Sequence, residues 1–155
     1  MQDMTGDDSQ DPLAPLLERL IAGLPAESAE RARRFRAREE VPIGELGAHP
    51  DLGDRLEEVT RQLEGAEFGV YYRMFTVRDR RARIFACAQG TNTIRFRVGR
   101  DRAGAIARAD VVPEPDWGAD WVQVNAWNPQ VPTREWLAAL EDLARRAHEF
   151  AGSEP

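Results

Sequence analysis

Arginine and tryptophan are the residues here best suited to chemistry, and that chemistry is binding. All 21 basic residues are Arg, and ten of them lie between Arg73 and Arg108, where the only acids are Asp79 and Asp101. A guanidinium presents a planar fork of donors that matches phosphate and carboxylate oxygens. A local positive field of this kind can recruit phosphates or an acidic partner even though the whole chain carries a formal charge of -6. Stacking groups are at hand in Phe85, Trp121 and Trp127. The lack of Lys, beside 22 alanines, reads as the codon usage of a GC-rich genome. That bias explains why the cations are Arg but leaves their clustering without a cause.

Groups able to run a reaction are fewer. His49 precedes Pro50 and His148 precedes Glu149, and neither has a neighbour that completes a metal set or a triad. Both are expected at the surface. Cys87 alternates with alanines in a predicted strand, where a thiol sits inert, and as the single cysteine it has no disulfide partner in the chain. Serine stands only at Ser9, Ser28 and Ser153. Glu114, Asp116 and Asp120 around Trp117 and Gly118 lack the spacing of a cation loop, so a solvated turn is expected. Gly99 and Gly104 around Arg100-Asp101-Arg102 lack the pattern and the Lys of a phosphate loop. The sequence therefore reads as a protein that is not an enzyme, with no cofactor and no metal.

The elements that must position the arginines follow from periodicity. At 155 residues the chain can hide roughly 70% of its unfolded surface, enough for one core. Residues 1–12 are acidic and polar and are expected to be disordered, and 151–155 to fray. An N-terminal helical extension is expected over 13–50: Leu13, Leu16, Leu17, Leu20 and Ile21 mark a helix closed by Gly23 and Pro25, and Ser28 caps a charged helix running to about Glu40. Leu52, Leu56, Val59 and Leu63 mark a further helix from about Asp51 to Glu64. The period then changes to that of strands over Val70–Val77, Ala82–Ala88 and Thr93–Val98, with turns at Arg78-Asp79-Arg80 and Gln89-Gly90-Thr91-Asn92. A short helix over Ala103–Ala109, a Pro-broken loop over Val112–Gly118 and a strand over Trp121–Ala126 follow. The last helix, with Thr133 as its N-cap, carries Trp136, Leu137, Leu140, Leu143, Ala147 and Phe150 at helical spacing up to Gly152. The fold class is α+β: an antiparallel sheet of about four strands, with helices before it and a C-terminal helix on one face.

Strand alternation then sorts side chains onto faces. Ile94, Phe96 and Val98 share one face and Thr93, Arg95 and Arg97 the other. Val122, Val124 and Ala126 point inward, leaving Trp121, Gln123, Asn125 and Trp127 outward. Ile84 is expected with the alanines, opposite Arg83, Phe85 and Cys87. This second face has two readings. It is either a platform on which Arg83, Arg95 and Arg97 meet phosphates while Trp121 and Trp127 stack on bases, or a surface covered by the first helices, with Arg stems lying on Trp rings and those tryptophans buried. The turn arginines Arg78, Arg80, Arg100 and Arg102 are expected to be exposed in either case.

Three stretches between Asp51 and Phe150 carry a resemblance to the MmcQ/YjbR-like proteins: Phe75-Thr76-Val77 turning into Arg83-Ile84-Phe85-Ala86, Thr93-Ile94-Arg95-Phe96 with its following helix, and Trp121-Val122-Gln123-Val124 leading to Val131-Pro132. The resemblance implies a CyaY-like α+β fold and DNA binding through hairpin wings, with Arg78, Arg80, Arg81 and Arg83 as wing contacts. The chain departs from that pattern in its N-terminal extension and in Ala119-Asp120 before Trp121, where relatives often place basic residues.

The partner classes left open are therefore nucleic acid, and a second copy or an acidic protein. Seven acids against one arginine over residues 1–30, and eight against three over 113–155, complement the basic middle. A small ligand between sheet and helices, lined by Tyr71, Tyr72, Met74 and Trp127, is the third class. A membrane partner is not expected: no apolar run approaches the roughly 20 residues of a spanning helix. The N-terminus is not a secretory signal, and the expected location is cytoplasmic.

Overall fold

The computed structural model describes residues 22, 25–27, 29–30, 33, 48–71, 74–106, 110–114 and 117–154. The acidic tail and most of the two helices expected before residue 41 lie outside these residues. Ala29 is buried, and its amide donates to the Pro25 carbonyl at 2.8 Å.

His49 opens helix α1 (Pro50–Thr60). Its Nδ1 accepts the Asp51 amide at 3.1 Å, and Pro50 fills a first-turn position where its missing N–H is no loss. Leu52, Leu56 and Val59 form the buried stripe read from the sequence. The helix stops short of the expected Glu64. Near its end the Thr60 hydroxyl donates back to the Leu56 carbonyl at 2.8 Å, the local bonding by which Ser and Thr compete with the helical ladder.

Among the described residues six strands form one sheet where about four are expected. They are β1 (Glu67–Tyr71), β2 (Met74–Arg78), β3 (Ile84–Gln89), β4 (Thr93–Arg97), β5 (Val111–Pro113) and β6 (Trp121–Asn125), in the antiparallel order β1-β2-β3-β4-β6-β5. The run Val70–Val77, read as one strand, spans two: Tyr71 pairs with Met74, so the chain reverses between them. No Gly, Asn, Asp or Pro stands there to signal a hairpin. The Pro-broken loop contains β5, at the sheet edge, where Pro113 needs no ladder donor.

The helix after β4, α2 (Arg100–Ile106), begins earlier than expected, and the Ala107–Ala109 part of the expected helix lies outside the described residues. Gly99 makes the turn into it at φ +93°, with a Phe150 ring carbon only 2.8 Å from where a Cβ would sit. The last helix, α3 (Thr133–Ser153), has Pro132 rather than Thr133 at its N-cap, and no side chain caps it. Both α1 and α3 lie on one side of the sheet, where Leu56, Val59, Val77, Phe96, Val122 and Leu140 join a single core. Gly53 lets α1 approach closely, because a Cβ there would stand 2.7 Å from the Phe75 ring. Truncating a fully buried side chain such as Leu140 costs roughly 2–5 kcal/mol. Among the described residues no helix is long and apolar enough to cross a membrane.

One irregularity redistributes the side chains. Val77 pairs with Ala86 but the next pair is Arg78 with Ile84, so β3 carries Phe85 as an extra residue. At such a bulge two residues oppose one and the alternation restarts. Phe85 therefore joins the helix-side core and meets His148 of α3 edge-on at 5.3 Å, contrary to its expected place beside Cys87. Ile84 is buried outside that core. Arg83, two residues before Phe85, follows it to the helix side.

Candidate functional site

The expected arginine platform is closed from within. Arg95 projects from the middle of β4, and its Nε donates to Glu114 Oε2 at 3.0 Å, both side chains being nearly sealed from solvent. Its Nη1 donates to Gln89 Oε1 at 3.1 Å, and the guanidinium lies 4.8 Å from the Trp117 ring centre. Trp117 in turn meets Trp121 edge-on at 5.0 Å. Trp121 is only 3% exposed, so no base can reach it on this surface. The loop read as a solvated acidic turn thus supplies the lid: Glu114 is buried and Asp120 faces Arg97, while Asp116 lies outside the described residues. Breaking one partner of a buried pair of this kind costs roughly 3–5 kcal/mol.

Next to Arg95 across the sheet sits Cys87. Burial pushes its thiol up to about 12, against a smaller downward pull from the Arg95 cation. A nucleophile needs a thiolate, so this thiol is inert, as its alternation with alanines suggests.

Three further candidates gather at the C-terminal end of α3. The last turns of a helix leave carbonyls without partners and concentrate partial negative charge. Arg81 Nη2 donates to the carbonyls of Ala151, Gly152 and Glu154 at 3.2, 3.1 and 2.6 Å. Arg83 Nη1 donates to those of Ala151 and Glu154 at 2.9 and 2.8 Å. Arg97 grips the Glu154 carboxylate with both terminal nitrogens, touches Asp120 at 3.5 Å and lies 5.1 Å from the Phe150 ring. These three form a collar. The residues expected to fray are the ones it holds, and α3 continues through Gly152 to Ser153.

The turn arginines behave differently. Arg80 pairs with Glu64 at 2.6 Å and Arg102 with Glu149 at 3.3 Å, all four side chains largely in water. Arg100 is exposed, while Arg78 is half-buried and has partners of its own. The turn between β2 and β3 is tied by Asp79, whose Oδ1 accepts the amides of Arg81 and Arg83, each at 2.9 Å. Ala82 completes it at φ +60°.

The opposite end of α3 holds a cavity of about 700 Å³, lined by Arg55 of α1, the loop Trp127–Pro132, and Thr133 and Trp136 of α3. Asparagines shape the loop. Asn125 Oδ1 accepts the Trp127 amide at 2.9 Å, Asn128 Oδ1 accepts the Gln130 amide at 3.0 Å, and the Trp136 indole donates to the Asn125 carbonyl at 3.0 Å. Arg55 is 14% exposed and stands 5.6 Å from the Trp127 ring centre, with the Glu58 carboxylate 3.7 Å away, too far for a hydrogen bond. Trp127 thus borders an open site, while Arg80 and Arg81 border a smaller pocket of about 460 Å³ near the other end of α3. Of the companions expected for Trp127, Met74 is buried elsewhere, and Tyr72 and the Tyr71 side chain lie outside the description. Arg55, Trp136 and the Asn128–Pro132 loop escape a reading of strands and turns. The signal they leave is two tryptophans bracketing an Asn-Pro…Val-Pro loop.

The geometry supplies a packed sheet, a capped helix end and a lined cleft at the start of α3. Comparison of the chain with family models, with curated proteins and with solved structures finds no match.

Proposed function

We propose that this protein is a binding module which holds a small molecule in the cleft between α1, the loop after β6 and the start of α3. The observation that carries this reading is the cavity itself. Its volume lies within the roughly 300–1,000 Å³ of ligand sites, and it combines an aromatic wall at Trp127 with a few polar groups held in place beforehand. The groups that would run a reaction are engaged elsewhere: His49 caps α1, His148 packs on Phe85 and Cys87 is sealed in the sheet. A thermal-shift screen of mixed neutral, cationic and anionic compounds tests the reading. Ligands that stabilise the wild type and lose their effect in Trp127→Ala are expected, and a screen without any such compound would refute it.

A second reading keeps the MmcQ/YjbR-like resemblance and its DNA binding, and one observation favours it. Arg80, Arg100 and Arg102 reach solvent, and the exposed ion pairs of Arg80 and Arg102 are worth at most about 1 kcal/mol, so phosphates can replace their acids. Affinity for a short duplex should then fall by about 0.9 log units per phosphate contact for each decade of salt. No binding at low salt removes this reading. Light scattering on the same samples reports self-association.

A further inference from the structure

We infer that the cleft selects a monocarboxylate carried on an aromatic body, with Arg55 as the group that recognises the carboxylate. This rests on the cleft being a binding site and goes on to name the ligand class.

Arg55 is set apart by what it lacks. Arg95 and Arg97 place their guanidinium nitrogens on carboxylate oxygens, and Arg81 and Arg83 place theirs on helix carbonyls. Arg55, about as well buried as those of β4, makes no hydrogen bond among the described residues and has only a carboxylate at 3.7 Å and the face of Trp127. A buried cation with an unfilled donor fork is costly unless something fills it. The side the fork borders is the cavity, whose lining among the described residues includes no Asp or Glu. An anion entering there competes with Glu58, whose half-exposed carboxylate stands 3.7 Å from the guanidinium, beyond hydrogen-bond range.

The same lining decides which anion. Among the described residues Arg55 is the only cation on it, which balances at most one negative charge and leaves a phosphate dianion no better than half-neutralised. A guanidinium fork and a carboxylate also match in bidentate geometry. The aromatic wall beside Arg55 is half-buried Trp127, since Trp136 is only 4% exposed, and such a ring packs on a flat apolar body and gains little from an extended polar chain. The cavity is too large for acetate or formate alone and has ample room for a fused two-ring acid.

Isothermal calorimetry with naphthoate, its neutral isostere naphthamide and naphthyl phosphate tests this on the wild-type chain, so no variant has to fold for the answer. Naphthoate should bind, with naphthamide and the phosphate each at least about tenfold weaker. Arg55→Met should abolish the preference for naphthoate over naphthamide while leaving the circular dichroism unchanged, and Arg55→Lys should restore part of it. Equal affinity for naphthoate and naphthamide would overturn the inference and leave the cleft as an apolar site. Tighter binding of the phosphate would overturn it in favour of phosphoesters. Silence from all three, beside other compounds that register in the screen, would overturn the ligand class alone.

Discussion

The two ends of α3 meet arginine in opposite ways. At the C-terminal end Arg81, Arg83 and Arg97 spend their donors on the helix's last carbonyls and on Glu154, and the pocket beside Arg81 and Gly152 meets donors already engaged. At the N-terminal end Arg55 borders a cavity and, among the described residues, makes no hydrogen bond, with Glu58 3.7 Å away. Residue type is the same at both ends, so type does not tell a structural cation from a recognising one. What separates them is whether the protein itself completes the hydrogen bonds. A completed set stabilises the fold and has nothing left for a partner, whereas an incomplete one in a partly buried place costs stability and is the one to question about function.

That contrast is open to direct attack. The largest effect should come from removing the collar: Arg81→Ala with Arg83→Ala strips charged donors from the end of α3 and should lower unfolding free energy by about 2–4 kcal/mol in urea, since each hydrogen bond to a charged group is worth about 1.5–3 kcal/mol. A loss below 1 kcal/mol would mean that water satisfies those carbonyls as well. Arg55→Ala should fall within about 1 kcal/mol of the wild type, because a buried cation without hydrogen bonds contributes little net stability and only the stem packed on Trp127 is lost. Its mark should be the loss of ligand-induced thermal shift. A large destabilisation with ligand binding intact would erase the distinction between the two ends. The smallest effect belongs to the exposed pairs: Arg80→Ala and Arg102→Ala should each change stability by less than about 0.5 kcal/mol, and a larger loss would extend the collar to the turns.

The helices and the face they cover were legible in the sequence because Leu52, Leu56, Val59, Trp136 and Leu140 repeat at helical spacing. Local chemistry does not signal the rest. The reversal between Tyr71 and Met74 lacks turn residues, and the three-residue β5 is too short to show a period. The bulge at Phe85 matters most. One extra residue in β3 flips Phe85 and Arg83 to the helix side, and strict alternation, applied through it, put Arg83 on a platform with Arg95 when its partners are the carbonyls at the end of α3. Arg95 was placed on the correct face, but the acid that closes over it comes from a loop nineteen residues later. Arg55 drew no attention because nothing near it in sequence is unusual. Its standing depends on Trp127 and Trp136, which only the folded chain brings beside it.

Cys87 has one more consequence. Its thiol lies in the third of six strands, has no measurable exposure and stays protonated far above neutral pH. An alkylating reagent therefore cannot touch it in the native state, and each modification records a moment when the sheet came apart. The chain carries a native clock for its own opening. Under conditions where reclosing outpaces reaction, the labelling rate gives the free energy of that opening without denaturant. Any compound that seats at the start of α3 must slow the clock by the factor its affinity sets.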